Sequence, residues 1–127
     1  MNRTDAIISI VDDDQSVRKA LSRLLKSMGF KVKTYSSGSD FLAHGQLDAC
    51  DCLILDVRMP DMNGFELWEQ LEWSGFAIPI IFMTAYENTR ERMRALGAGA
   101  VAYFQKPLDD QSLVNAIHSA LERSKSE

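Results

Sequence analysis

Cys52-Leu53-Ile54-Leu55-Asp56, continued by Val57-Arg58-Met59-Pro60-Asp61-Met62-Asn63-Gly64, decides how the other residues are read. A short apolar run ends on a carboxylate, and a Pro/Asn/Gly turn follows. A run with no alternation of polar and apolar residues reads as a strand buried on both faces. Asp56 then stands at its C-terminal end, the edge where open α/β sheets carry their ligand chemistry.

Working outward, the same pattern recurs. Ala6 to Val11 is a first apolar run, stopped by Asp12-Asp13-Asp14. Val17, Leu21, Leu24, Leu25 and Met28 then recur with helical spacing, with Asp14 or Ser16 as cap and Gly29 as stop. Lys31 to Tyr35 alternates polar and apolar, as a strand nearer the sheet edge does. Ser36 to Ser39 reads as a loop with a cap, and Asp40 to Gly45 as a short helix. Phe65, Leu67, Trp68 and Leu71 predict a third helix. Ile78 to Met83 predicts a fourth strand, ending at Thr84, with Pro79 tolerated near its start. Thr89 to Leu96 reads as a charged helix closed by Gly97 and Gly99. Ala100 to Phe104 is a fifth strand, ending at Lys106-Pro107. A last helix, capped by Asp109 or Asp110, carries Leu113, Val114, Ile117, Ala120 and Leu121.

Five strands alternating with five helices predict an α/β domain with a five-stranded parallel sheet and helices on both faces. Right-handed crossovers favour the flavodoxin-like strand order 2-1-3-4-5. The order reverses between strands 1 and 3, which opens a crevice between Asp12, Asp13 and Asp56. Residues 1–123 form the domain, and 124–127 a polar tail or the start of a linker.

Composition narrows the function. The chain has 127 residues, is 46% hydrophobic and 25% charged, and carries a net charge of −4. Lysines and arginines are scattered, which argues against direct nucleic-acid binding. No apolar run approaches the ~18 residues of a membrane span, and Met1 to Asp5 has no leader-like apolar stretch. Cys50 and Cys52 lack a second Cys or His pair for zinc and read as buried reduced thiols on opposite faces of a strand.

Asp12, Asp13, Asp56, Thr84 and Lys106 all follow or end predicted strands, so a parallel sheet brings them to one edge. Three carboxylates in one crevice repel one another, and a hard divalent cation offsets this. Oxygen ligands without His or Cys favour Mg²⁺ over Zn²⁺. A carboxylate beside that ion can attack phosphorus and form an acyl phosphate. Lys106 neutralises the transferred oxygens, and Thr84 donates its hydroxyl to another.

The sequence resembles a receiver domain of a two-component response regulator over nearly its whole length. The resemblance is carried by Val11-Asp12-Asp13-Asp14-Gln15-Ser16-Val17-Arg18, Leu55 through Gly64, Met83-Thr84-Ala85, and Ala98-Gly99-Ala100 through Lys106-Pro107. The wording is closest to receivers of the FixJ type, which precede a LuxR-type helix-turn-helix domain.

The resemblance implies that Asp56 is the phosphoacceptor, served by a histidine kinase in the cytoplasm. Asp13, Asp56 and the backbone carbonyl of Arg58 ligate Mg²⁺, with Asp12 acting largely through water. Thr84 and Lys106 hold the phosphoryl group. Tyr103 is the switch aromatic, filling space that Thr84 vacates, and the Lys106-Pro107 bond is cis. The side chains of Arg58 and Tyr86 flank the path of an attacking water and tune dephosphorylation. The domain is then no turnover enzyme; it catalyses only its own phosphorylation and dephosphorylation. It controls dimerisation or an output domain absent from this chain.

Each residue alone has a plainer reading. Asp12 to Asp14 can be a helix cap, Asp56 a turn residue, Thr84 a cap and Lys106 a surface charge. Placement at four strand ends together favours the site. Two other functions compete. A binding module that works without phosphorylation has no need for all five residues. A dehalogenase-like phosphatase needs Asp-x-Asp, and Asp56-Val57-Arg58 lacks the second carboxylate. His44, His118, Trp68 and Trp73 receive no role, and Asp14 shapes the rim of the acidic pocket.

Overall fold

The sheet is built around β3 (Cys52–Asp56) and β4 (Ile80–Thr84), both buried at every position. β1 (Ile7–Val11) lies beside β3 on its other side, and β2 (Lys31–Tyr35) and β5 (Ala102–Gln105) form the edges. All pairings are parallel, in the order β2-β1-β3-β4-β5. This is the order expected from the sequence. The structure, a computed structural model, describes residues 5–126, with side chains to residue 123. Most of the segment read for a leader, and Glu127 of the tail, lie outside the described residues.

Five helices cover the two faces: α1 (Gln15–Ser27), α2 (Gly38–His44), α3 (Gly64–Trp73), α4 (Thr89–Gly97) and α5 (Asp110–Ser126). Leu53, Leu55, Ile80 and Phe82 face a core shared with Phe41, Phe65, Leu67, Leu71 and Ala95. Cys52, Ile54, Ile81 and Met83 face the other, with Leu21, Leu25, Leu113 and Ile117. Period-2 alternation therefore exists in the fold but is invisible in the sequence, because both sets are apolar. Each fully buried leucine or isoleucine here contributes about 1.5–3 kcal/mol.

Side chains set the helix ends. Asp14 accepts the Ser16 N–H at 2.8 Å at the start of α1. After α1, Gly29 takes φ +92 while Phe30 N–H donates to the Leu25 carbonyl. A left-handed residue closes the helix in this way, and glycine adopts it without strain. Asn63 and Glu66 cap α3 reciprocally, Asn88 caps α4, and Asp109 accepts the Ser112 N–H at 2.9 Å before α5.

Several boundaries differ from expectation for local reasons. β4 begins at Ile80 because Pro79 has no N–H for the ladder, although its carbonyl accepts from Leu53 at 2.9 Å. β5 begins at Ala102 because Ala100 N–H closes α4 onto the Ala95 carbonyl. α2 begins at Gly38, capped by Ser37. α5 continues to Ser126, into the residues read as a polar tail or the start of a linker. Cys50 precedes β3 instead of lying on it, yet the two thiols do enter opposite cores. Both are free and buried, and burial raises both thiols above their ordinary range.

Candidate functional site: an acidic crevice at the C-terminal edge of the sheet

Parallel strands deliver their last residues to one edge. Asp12 follows β1, Asp56 ends β3, Thr84 ends β4 and Lys106 follows β5. Asp12 and Thr84 are wholly buried and Asp56 nearly so, while Asp13 is exposed. Asp12, Asp13 and Asp56 can each offer one oxygen so that all three lie within 4.8 Å of one another. The structure thus brings together the three carboxylates singled out in the sequence.

Lys106 is shared between two of them. Its Nζ is 2.7 Å from Asp12 Oδ2 and 3.5 Å from Asp56 Oδ1. Asp12 Oδ1 accepts the Asp14 N–H at 2.9 Å, and Arg18 Nη1 donates to the Asp12 carbonyl at 2.7 Å. Asp12 Oδ2 receives no well-aligned hydrogen bond beyond that ion pair among the described residues. A fully buried carboxylate oxygen compensated by one shared ammonium is under-satisfied.

The charges act on one another. Burial, then the charge on Asp12, pushes Asp56 up to about 7, against the pull of Lys106. Burial alone lowers Lys106, but the carboxylates of Asp12 and Asp56 outweigh it and raise the ammonium overall. With its three carboxylates ionised against the single ammonium of Lys106, the crevice is two positive charges short of neutral. A cation bound by oxygens is what this donor set fits.

The backbone around Asp56 is tightly enclosed. Gly64 N–H donates to the Val57 carbonyl at 2.8 Å. A Cβ on Gly64 would stand 2.7 Å from the Asp56 carbonyl oxygen and 3.0 Å from the Phe82 ring. Glycine at the start of α3 thus lets the helix close over the end of β3. On the far side, Lys106 N–H donates to the Thr84 carbonyl at 2.8 Å, and the Lys106-Pro107 bond is cis.

Thr84, Arg58 and Tyr103 are joined through a residue the sequence did not single out. Arg58 Nη1 donates to Thr84 Oγ1 at 2.8 Å, and Nη2 pairs with Glu91 Oε2 at 2.7 Å. The other oxygen, Glu91 Oε1, accepts the Tyr103 hydroxyl at 2.9 Å. The Tyr103 hydroxyl also accepts the Asn88 N–H at 3.3 Å, and its ring is already buried. Burial and the bond to Glu91 raise this phenol. Glu91 looks like any acidic residue in a helix's first turn, so nothing local marks it. Tyr86 is exposed, its backbone N–H directed at Thr84 Oγ1. His44 pairs with Asp40 and His118 packs on Phe30, neither at this edge. Asp14 serves as the α1 cap.

Residues 8–118 match the response regulator receiver domain family. The chain belongs to that family. Response regulator protein TmoT of Ectopseudomonas mendocina is 46% identical over 122 residues, covering 95% of this chain and 55% of the relative. Transcriptional regulatory protein FixJ of Rhizobium meliloti (strain 1021) is 39% identical over 119 residues, 94% of this chain and 58% of that protein. The structure of response regulator StyR superposes with a TM-score of 0.87 at 42% identity, over 96% of this chain and 64% of StyR. This receiver domain therefore spans a little over half the length of the curated relatives it matches. Among the described residues, no helix is long and apolar enough to cross a membrane.

Proposed function

We propose that this receiver domain accepts a phosphoryl group on Asp56 from the phosphohistidine of a histidine kinase. The new charge then switches the surface formed by α4, β5 and α5. The observation that carries the reading is the crevice itself, where a buried carboxylate shares one lysine with a second carboxylate and lies within 4.8 Å of a third. In the transfer, an Asp56 carboxylate oxygen forms a bond to phosphorus as the P–N bond breaks. The imidazole keeps that electron pair and takes a proton from water. Asp12, Asp13, Asp56 and the backbone carbonyl of Arg58 would hold Mg²⁺. When bound, it supplies positive charge against the phosphoryl oxygens. Lys106 stays beside Asp56 to pair with a phosphoryl oxygen, and the Thr84 hydroxyl donates to another. Tyr103 communicates the state of Thr84, while the side chains of Arg58 and Tyr86 set how readily water attacks the phosphoryl group.

The energies are of the right size. A phosphoryl group adds roughly −1.5 to −2 charges. Moving an equilibrium from about 1:99 to 99:1 takes about 5.5 kcal/mol. Charge-assisted hydrogen bonds contribute about 1.5–3 kcal/mol each, so two or three new ones suffice. A relative described as a transcriptional regulatory protein, of whose length the match covers only 58%, supports an output domain of the helix-turn-helix kind outside this chain, with dimerisation as its trigger.

The test is intact mass after incubation with Mg²⁺ and acetyl phosphate, beside Asp56→Asn. A Mg²⁺-dependent, hydroxylamine-labile phosphate adduct on the wild type alone is expected. No adduct, with Mg²⁺ binding confirmed and turnover slow enough to observe, would favour a module that binds its partner without phosphorylation.

A further inference from the structure

Arg58 stands two residues from the acceptor, with its N–H 3.4 Å from Asp56 Oδ1. Yet its guanidinium is turned away from the carboxylates. It bridges Thr84 Oγ1 and Glu91 Oε2, 33 positions further along the chain, at 2.8 and 2.7 Å. A cation on the β3–α3 loop beside three carboxylates that pairs with a fourth, in the first turn of α4, is held there by that fourth. The rest of the network is arranged to keep it so. Asn88 caps α4 by accepting the Glu91 N–H, which fixes Glu91 in the first turn. The Tyr103 hydroxyl occupies Glu91 Oε1 and leaves Oε2 for Arg58. Arg92 is spent on Glu87 and the Tyr103 carbonyl.

Thr84 completes the chain of bonds. A hydroxyl has one proton to give, and here it points at the Tyr86 carbonyl at 3.3 Å, while Arg58 holds the oxygen from the other side. A phosphoryl group on Asp56 would claim both members of this pair. It would accept the hydrogen bond of the Thr84 hydroxyl, and it would offer Arg58 roughly −1.5 to −2 charges against the single charge of Glu91.

We infer that Glu91 is a positioning residue that competes with the phosphoryl group for Arg58, and so holds the receiver in its resting state. When Asp56 is phosphorylated, Arg58 leaves Glu91. The first turn of α4 then loses its tie to the β3–α3 loop, and the Tyr103 hydroxyl loses the ordered carboxylate that anchors it. The route from Asp56 to α4 thus runs through an ion pair, in addition to any movement of Thr84. This inference rests on the phosphoacceptor reading.

The experiment titrates the wild type and three variants with beryllofluoride, a phosphoryl mimic, at fixed Mg²⁺, reading apparent affinity by calorimetry. The variants are Glu91→Gln, Arg58→Ala and the double. Glutamine keeps the size of Glu91 and an acceptor for Tyr103 while removing the charge. The ion pair is half-exposed on the Arg58 side, so an effect near the upper end for such pairs is expected. Glu91→Gln should tighten the mimic about three- to fivefold. In the Arg58→Ala background the same change should alter affinity less than about twofold, because the competition no longer exists. Tightening of equal size in both backgrounds, or none in either, overturns the inference while leaving the phosphoacceptor reading intact. Failure of the wild type to bind the mimic with Mg²⁺ present overturns that reading, and this inference with it.

Discussion

Replacing Asp56 with asparagine should stabilise this receiver domain, and the gain should grow with pH. Burial and Asp12 raise the Asp56 carboxyl from 3.8 to about 7. The folded protein therefore binds that proton more tightly than the unfolded chain does. Stability then falls as pH rises from about 4 through about 7 and levels off above it. The interval corresponds to roughly 4 kcal/mol at about 1.4 kcal/mol per tenfold change. Asparagine has no proton to lose, but it also leaves Lys106 facing one carboxylate fewer. We expect the stability difference between Asp56→Asn and wild type to grow by about 2–4 kcal/mol between pH 4.5 and pH 8. Urea unfolding at intervals across that range, with EDTA to remove divalent cations, measures it. Parallel pH profiles, or an asparagine variant less stable than wild type at pH 8, would refute the argument. Either would mean that Lys106 compensates the crevice more fully than its 3.5 Å distance from Asp56 suggests.

Three further outcomes follow from the same geometry. Mg²⁺ at ten times its dissociation constant should raise wild-type stability by about 1.4 kcal/mol at pH 8, and the gain should shrink strongly in Asp13→Ala, as read by urea unfolding. Lys106→Met should cost about 2–3 kcal/mol at pH 8, because it strips the buried Asp12 oxygen of its ion pair; a smaller loss at pH 5, where Asp56 is protonated, would identify the cause. Gly64→Ala should destabilise by about 1–3 kcal/mol through overlap with the Asp56 carbonyl and Phe82, whereas Gly97→Ala, with open space around its Cβ position, should stabilise by about 0.4–1 kcal/mol. Thermal unfolding of the two alanine variants side by side checks that contrast.

Most of the fold was legible because its signals are local. The apolar run of β3, the helical period of α1 and the caps at Asp14 and Asp109 each lie within a few residues of what they specify. Boundaries went astray where a backbone bond, not side-chain pattern, set the end. Ala100 belongs to the closure of α4, not to β5, because its N–H donates back to the Ala95 carbonyl. The candidate site was legible as a set of strand ends, since a parallel sheet gathers them whatever their side chains do. Glu91 was not, because an acidic residue in the first turn of a charged helix satisfies a local rule and gives no reason to look further.

The sequence by itself determined the order and type of the elements, the parallel sheet, and the gathering of Asp12, Asp13, Asp56, Thr84 and Lys106 at one edge. Periodicity and strand ends are properties of neighbours along the chain. Only the tertiary structure decided that Lys106 lies nearer Asp12 than Asp56, that Asp56 holds its proton to about 7, and that Arg58 reaches Glu91. Those facts depend on burial and on distances between side chains 33 to 94 positions apart. Electrostatic interaction is set by separation and by the loss of water, and neither can be read along the chain.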